Sequence, residues 1–158
     1  MKKLIAMVLC FALLLPPALA ADYTIDDFTL DFNLYAVLTG AEKLPEKGYS
    51  KEGPRYVWYS KSNDIVGYTE NENGIIKTGF CICYDESRIG SFLSNAAAMA
   101  FTFCPADDVA LIYLHLLDLY FTAKTGAETE HATISDHALI SLYRNGNGAF
   151  FFIITKIG

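Results

Sequence analysis

The chain has little positive charge: 12 lysine and arginine residues stand against 18 aspartate and glutamate residues, for a formal net charge of −6 at pH 7. Proteins that bind nucleic acid or an anionic membrane surface concentrate lysine and arginine on one face to meet the phosphates. The basic residues here are interspersed with acidic ones, so we expect neither kind of partner. The acidity suits a protein that stays dissolved in an extracellular medium.

The sequence also lacks the common catalytic and cofactor motifs. It has no phosphate-binding loop, no dinucleotide fingerprint, no G-x-S-x-G elbow and no serine–histidine–aspartate arrangement. The acidic residues are scattered, and the nearest pair, Asp85 and Glu86, only ends a predicted strand. We therefore expect a non-catalytic protein that carries no cofactor.

Long apolar runs are missing too, apart from one at the start, MKKLIAMVLCFALLLPPALA. Its apolar part is about 12 residues long, whereas a membrane-spanning helix needs about 20. Two lysines, a short apolar run, a break and small residues form the pattern of a secretory signal peptide. We predict cleavage after Ala20, with residues 1–20 as signal peptide and 21–158 as one secreted or extracytoplasmic domain without a membrane span.

The remaining chain alternates between helical and strand-like patterns. The predicted order is α-β-β-β-α-α-β-β: a helix over 24–39, strands over 55–61, 64–70 and 75–84, helices over 87–103 and 104–126, and two strands around the turn NGNG. The simplest arrangement is a single α+β domain, with a mainly antiparallel sheet of about five strands and about three packed helices.

Two segments are apolar on more than one side. The predicted helix reads VALIYLHLLDLYF over 109–121, so it is either deeply buried or presents one side as an interaction face. The last predicted strand contains FFFII, which is apolar on both faces of a strand and indicates a central or doubly covered position.

Three cysteines follow the signal peptide, at Cys81, Cys83 and Cys104. On a strand, Cys81 and Cys83 share one face about 6.5–7 Å apart, which disfavours a bridge between them. A disulfide from Cys104 to Cys81 or Cys83, or three buried thiols used as small apolar residues, both remain open. The C-x-C spacing matches neither a redox pair nor a zinc knuckle, and we expect no metal site.

Cys104 has a second interpretation as a nucleophile. It stands at the predicted N-terminus of a helix, where the helix dipole lowers a thiol pKa. Paired with His115, His131 or His137 it would resemble the centre of a Cys–His hydrolase. Two aspartates in the same first turn oppose thiolate formation, and no nucleophile motif surrounds the cysteine.

The segment HATISDH carries His131, Asp136 and His137, which are residue types that suit a transition metal or acid–base chemistry. The two histidines are six residues apart, which is neither the i, i+4 spacing of a helical ligand pair nor the i, i+2 spacing of a strand face. The segment therefore indicates a polar linker that leads into a strand.

The run RYVWYSK places Tyr56 and Trp58 on one strand face. Exposed aromatic rings on a sheet can stack on sugar rings, and aromatic rings at such positions also fill cores. The sequence as a whole predicts a small exported, non-catalytic binding or interaction domain. Its partner would be an extracellular protein, a second copy in a homo-oligomer, or a small molecule held between sheet and helices. The alternatives are a secreted hydrolase using Cys104 with a histidine, and a carbohydrate-binding module using Tyr56 and Trp58.

Overall fold

The computed structural model describes residues 24–60, 64–104, 109–125, 130–134 and 138–157. These residues form three α-helices, one 3-10 turn and seven strands. The helices are α1 (Ile25–Thr39), α2 (Ile89–Phe103) and α3 (Val109–Thr125), and the 3-10 turn Glu86–Arg88 precedes α2. The strands are β1 (Ser50–Glu52), β2 (Arg55–Tyr59), β3 (Ile65–Glu70), β4 (Ile76–Cys83), β5 (Glu130–Ile134), β6 (Ala138–Arg144) and β7 (Phe150–Lys156).

All seven strands belong to one antiparallel sheet with the order β1-β2-β3-β4-β7-β6-β5. The predicted α+β class, the three-stranded meander and the final hairpin are confirmed. The sheet exceeds the predicted five strands because β1 and β5 add to its two edges. An edge strand pairs on one side only, so neither segment needs the apolar alternation that marks an interior strand.

Helix α1 begins where the sequence predicts, because Thr24 caps it. The Thr24 hydroxyl accepts a hydrogen bond from the Asp27 amide, and the Asp27 carboxylate accepts one from the Thr24 amide at 2.9 Å. The Thr24 hydroxyl also donates to the Asp27 carboxylate at 2.7 Å, and this hydrogen bond, together with the one from the Thr24 amide, lowers the pKa of Asp27. The helix ends at Gly40, whose φ of 76° is the left-handed conformation that glycine adopts without strain.

The three described helices pack on one side of the sheet, which we call the helix face. In α1, the ring of Phe28 lies 4.6 Å from that of Tyr68, and rings of α2 and α3 lie 6.2 and 5.6 Å from that of Phe150. One row of paired helix-face positions crosses the sheet from β2 to β6; it consists of Trp58, Val66, Cys81, Phe152 and Leu142, all buried. This row is the centre of the core.

The opposite side of the same strands is the open face. Its positions on β2, β3, β4, β7 and β6 are Arg55, Val57, Tyr59, Ile65, Gly67, Thr69, Thr78, Phe80, Ile82, Phe151, Ile153, Thr155, Leu139, Ser141 and Tyr143. Only Arg55 among them is charged. No described helix is long and apolar enough to cross a membrane.

Candidate interaction surfaces

Helix α3 resolves the ambiguity of its apolar sequence, because it buries one side and exposes the other. The buried side is Ile112, Leu116, Leu119, Tyr120 and Ala123. The exposed side, which we call the α3 outer face, consists of Leu111, Leu114, Leu117 and Phe121, whose exposed fractions are 55%, 65%, 43% and 60%. Their spacings of three, three and four residues keep them on one stripe of the helix.

The α3 outer face is comparable in size to the largest apolar patch of a typical soluble monomer. At about 200 Å² for each fully exposed side chain, the four residues expose roughly 450 Å². The largest apolar patch of a typical soluble monomer is about 300–600 Å² and is often functional. Asp118 is exposed on the same helix, and Lys124 in its last turn pairs with Glu86 at 3.2 Å.

The open face of the sheet is a second apolar surface, and it is flatter. Its large side chains are partly exposed and cover one another: the rings of Tyr143 and Phe151 stack at 5.0 Å with only 3° between their planes. The Phe80 ring lies over Gly67, where a Cβ would come within 2.5 Å of that ring. The Arg55 guanidinium lies 5.8 Å from the centre of the same ring. Neighbouring side chains therefore form one continuous layer.

The three cysteines of the described residues lie in the core. Cys81 and Cys83 lie on the helix face, and all three cysteines are buried thiols. Cys104 follows the last turn of α2, and its amide donates to the Ala100 carbonyl at 2.9 Å; residues 105–108, which follow it in the predicted helix, lie outside the described residues. Burial raises the pKa of Cys81 and raises that of Cys83 to about 11. Both thiols therefore stay protonated near neutral pH.

One charged cluster that the sequence did not reveal lies at the end of the helix face. Asp64 is only 2% exposed, and the Arg88 guanidinium donates to its carboxylate. Beside it, the Cys83 thiol donates to the Asp85 carbonyl at 3.1 Å. Burial raises the pKa of Asp64, and Arg88 opposes that shift. The ion pair joins the start of β3 to the start of α2, and its 24-residue separation leaves no local sequence signal.

The candidate catalytic histidines lie on different elements where the structure describes them. His115 lies half-buried on α3, and His131 lies in β5, where the backbone register pairs it with Leu142. Asp136 and His137 lie outside the described residues. Within the described part of the chain, no group of three or more histidine, cysteine or acidic side chains could hold a metal ion.

Tyr56 and Trp58 lie on the helix face, not on an exposed one. Trp58 is 2% exposed, and its indole nitrogen donates to the Pro45 carbonyl at 3.2 Å. The Tyr56 ring is buried against Tyr68 at 4.8 Å. This burial removes the free ring surface that a sugar-stacking platform requires, and the two rings fill the core, which is the other interpretation of this run.

A small cavity of about 30 Å³ lies beside Trp58, between β2, α2 and the loop that follows α1. Its lining includes Leu44, Val66 and Asn95, and the buried Asn95 Oδ1 accepts no hydrogen bond. The volume suits a single water molecule, whereas small-molecule sites measure about 300–1,000 Å³. This cavity therefore does not provide room for an organic ligand between sheet and helices.

Comparison with protein-family models, curated proteins and solved structures finds no match to this chain. The class of the protein therefore rests on its own geometry. It is an α+β domain with one antiparallel sheet and with two apolar surfaces, the α3 outer face and the open face of the sheet.

Proposed function

We propose that this protein is a small exported, non-catalytic domain that binds another extracellular protein through the α3 outer face. The observation that carries the proposal is the row of Leu111, Leu114, Leu117 and Phe121 on a helix whose other side is already fully packed. Solvent exposure of these side chains contributes nothing to the fold. Their burial against a partner would contribute about 25 cal/mol per Å² before the costs of association.

The partner that fits this surface presents an apolar groove with a basic rim. Anchors at helical spacing on one stripe are the pattern by which a helix enters a hydrophobic groove. Asp118 stands beside the row, and the chain as a whole is acidic. Basic side chains around the groove would therefore steer association and fix its orientation.

Two further observations support a non-catalytic role. The cysteine that the sequence offers as a nucleophile, Cys104, is only 4% exposed at the end of α2. The burial of Cys81 and Cys83 keeps both thiols in their unreactive protonated form. Export is supported by the signal-peptide pattern of the first 20 residues.

The test uses the mature chain, residues 21–158, as bait for proteins of the same extracellular compartment. Any captured protein is purified and titrated by calorimetry against the native domain and the double variant Leu114→Glu with Phe121→Glu. We expect the double variant to bind at least about tenfold more weakly, because central apolar anchors dominate interface energy.

The matched control is Leu30→Glu, which alters an equally exposed leucine on α1 with 69% of its surface open. This variant should bind the partner like the native domain. A partner that binds the double variant as tightly as the native chain, or a compartment that yields no stoichiometric partner, contradicts the proposed function.

A further inference from the structure

We infer that the open face of the sheet is the interface between two copies of this chain, which pack sheet on sheet as a symmetric dimer. The inference does not depend on the proposed function, because it uses the opposite side of the molecule. It begins with the strand pattern. An antiparallel sheet with one side in water normally alternates apolar and polar residues, yet β7 carries Phe151 and Ile153 on the open face as well as apolar residues on the helix face.

The missing cover does not come from the described helices. All three contact the helix face, through rings such as Phe28, Phe92 and Tyr120. The open side of β7 therefore stays partly exposed, although its neighbours on β4 and β6, such as Ile82 and Tyr143, are apolar too. A strand that is apolar on both sides in the centre of a sheet indicates a second layer.

Charge favours a second copy as that layer. In a two-fold symmetric interface the same patch faces itself, so a patch that carries several charges of one sign repels its own copy. An acidic protein would repel its own copy through most of its surface. The five inner strands of the open face avoid this repulsion, since Arg55 is their one charged position. The register places Glu52 of β1 and Glu130 of β5 at the two edges of the same side. The cross-strand neighbour of Arg55 on β1 is Glu52, so this corner of the sheet carries one charge of each sign.

Size and shape also fit. Five strands about 4.8 Å apart and about 20 Å long present roughly 500 Å² in plan, and the relief of the side chains adds to this area. Specific interfaces bury about 800 Å² on each partner, and the weaker ones about 600 Å². Gly67 and Ser141 keep the centre of the patch low, so two such layers can approach to the usual separation of about 10 Å. We expect a dimer of micromolar affinity.

Such a dimer would turn its two α3 outer faces away from each other, because the helices cover the side of each sheet opposite the interface. Two binding surfaces on one particle give avidity toward a partner that is itself repeated, such as a polymer or a clustered surface protein. The dimer would therefore carry two copies of the α3 outer face and could bind two sites of such a partner at once.

The first experiment measures the mass of the mature chain by sedimentation and light scattering from about 1 to about 100 μM, a range chosen for interfaces of this size. The test variant is Ile82→Lys with Ile153→Lys on the open face, and the matched control is Leu114→Lys with Phe121→Lys on α3. We expect the native chain and the control to dimerise. The open-face variant should dissociate at least about tenfold more readily.

The second experiment needs no variant, so it still tests the dimer interface if the lysine substitutions unfold the open-face variant. Hydroxyl-radical labelling of the native chain above and below its dissociation concentration should protect Phe151 and Tyr143 in the dimer and leave Phe121 reactive. Three outcomes overturn the inference. The α3 control loses dimerisation while the open-face variant keeps it; Phe121 is protected in place of Phe151; or the native chain is a monomer at the highest concentration. Protection of the open face only in the full chain with residues 1–20 attached would identify that segment as its cover, which also overturns it.

Discussion

The two faces of the sheet are built on the same strands and the same hydrogen-bond ladder, yet they differ in how their side chains are held. On the helix face, α2 approaches so closely that a Cβ at Gly79 would lie 2.4 Å from the Met99 sulfur and 2.7 Å from the Phe103 ring. On the open face, the Phe80 ring lies over Gly67 and stays partly exposed. The packed helices therefore bury the side chains of one face more completely than those of the other.

The largest expected effect tests this difference on adjacent residues of one strand. Phe152→Ala on the helix face removes a ring with no exposed surface, and the cavity it leaves should lower the free energy of unfolding by about 3–5 kcal/mol. Phe151→Ala on the open face should cost about 1 kcal/mol in the monomer, because its ring already keeps part of its contact with water.

Urea unfolding of both variants at a concentration low enough to keep the chain monomeric provides the measurement. Equal losses for the two phenylalanines would show that the open face is covered within a single chain. That result would remove the contrast between the faces and, with it, the basis for a sheet-on-sheet dimer.

A somewhat smaller effect concerns the buried ion pair on the helix side. Arg88→Ala leaves the Asp64 carboxylate without its cation in a site that is 2% exposed, and we expect a loss of about 2–3 kcal/mol near neutral pH. The control Lys124→Ala breaks the exposed pair with Glu86 and should cost less than about 1 kcal/mol.

The pH dependence of the Arg88→Ala effect separates a charge effect from lost packing. Burial raises the pKa of folded Asp64, and removal of Arg88 raises it further. The folded state then binds the proton more tightly than the unfolded chain, whose carboxyl titrates near pH 3.9. The loss should be small below that pH, where Asp64 is protonated in both states, and should grow as the pH rises through the folded-state pKa. A loss that is constant from acid to neutral pH would identify a packing effect.

The sequence predicted most of the secondary structure because its signals are local. Thr24 with two following acidic residues marks α1, and the meander and the NGNG hairpin follow from turn residues between β-branched and aromatic runs. The local sequence signals failed where a segment becomes a strand only because it pairs with the edge of the sheet. The short edge strand Ser50–Glu52 lies in a polar segment that shows no apolar alternation.

For the α3 outer face and the open face, the sequence could predict only that each segment is either fully buried or exposed on one side. The run 109–121 is apolar nearly all round, so periodicity alone could not decide whether Leu114 or Leu116 faces water; the position of α3 over β6 decides it. The same holds for FFFII, where the register with β4 assigns alternate residues to opposite faces. The pair Asp64 and Arg88 could not be predicted at all, since a contact across 24 residues depends on the completed fold.

The smallest expected effect tests how tightly the helix face is packed where α2 comes closest to the sheet. Gly79→Ala places a methyl group against Met99 and Phe103, both fully packed, so the chain must shift to admit it. We expect a loss of about 1–3 kcal/mol in the free energy of unfolding, the usual cost of adding a carbon to a filled core.

Gly90→Ala in the first turn of α2 is the matched control, because a Cβ there meets nothing within 4 Å. It should stabilise the chain by about 0.5–1 kcal/mol through helix propensity and the lower entropy of the unfolded state. Thermal and urea unfolding of the two variants should therefore shift in opposite directions. A neutral Gly79→Ala would mean that α2 can move away from the sheet, and the helix face would then be no more tightly packed than the open one.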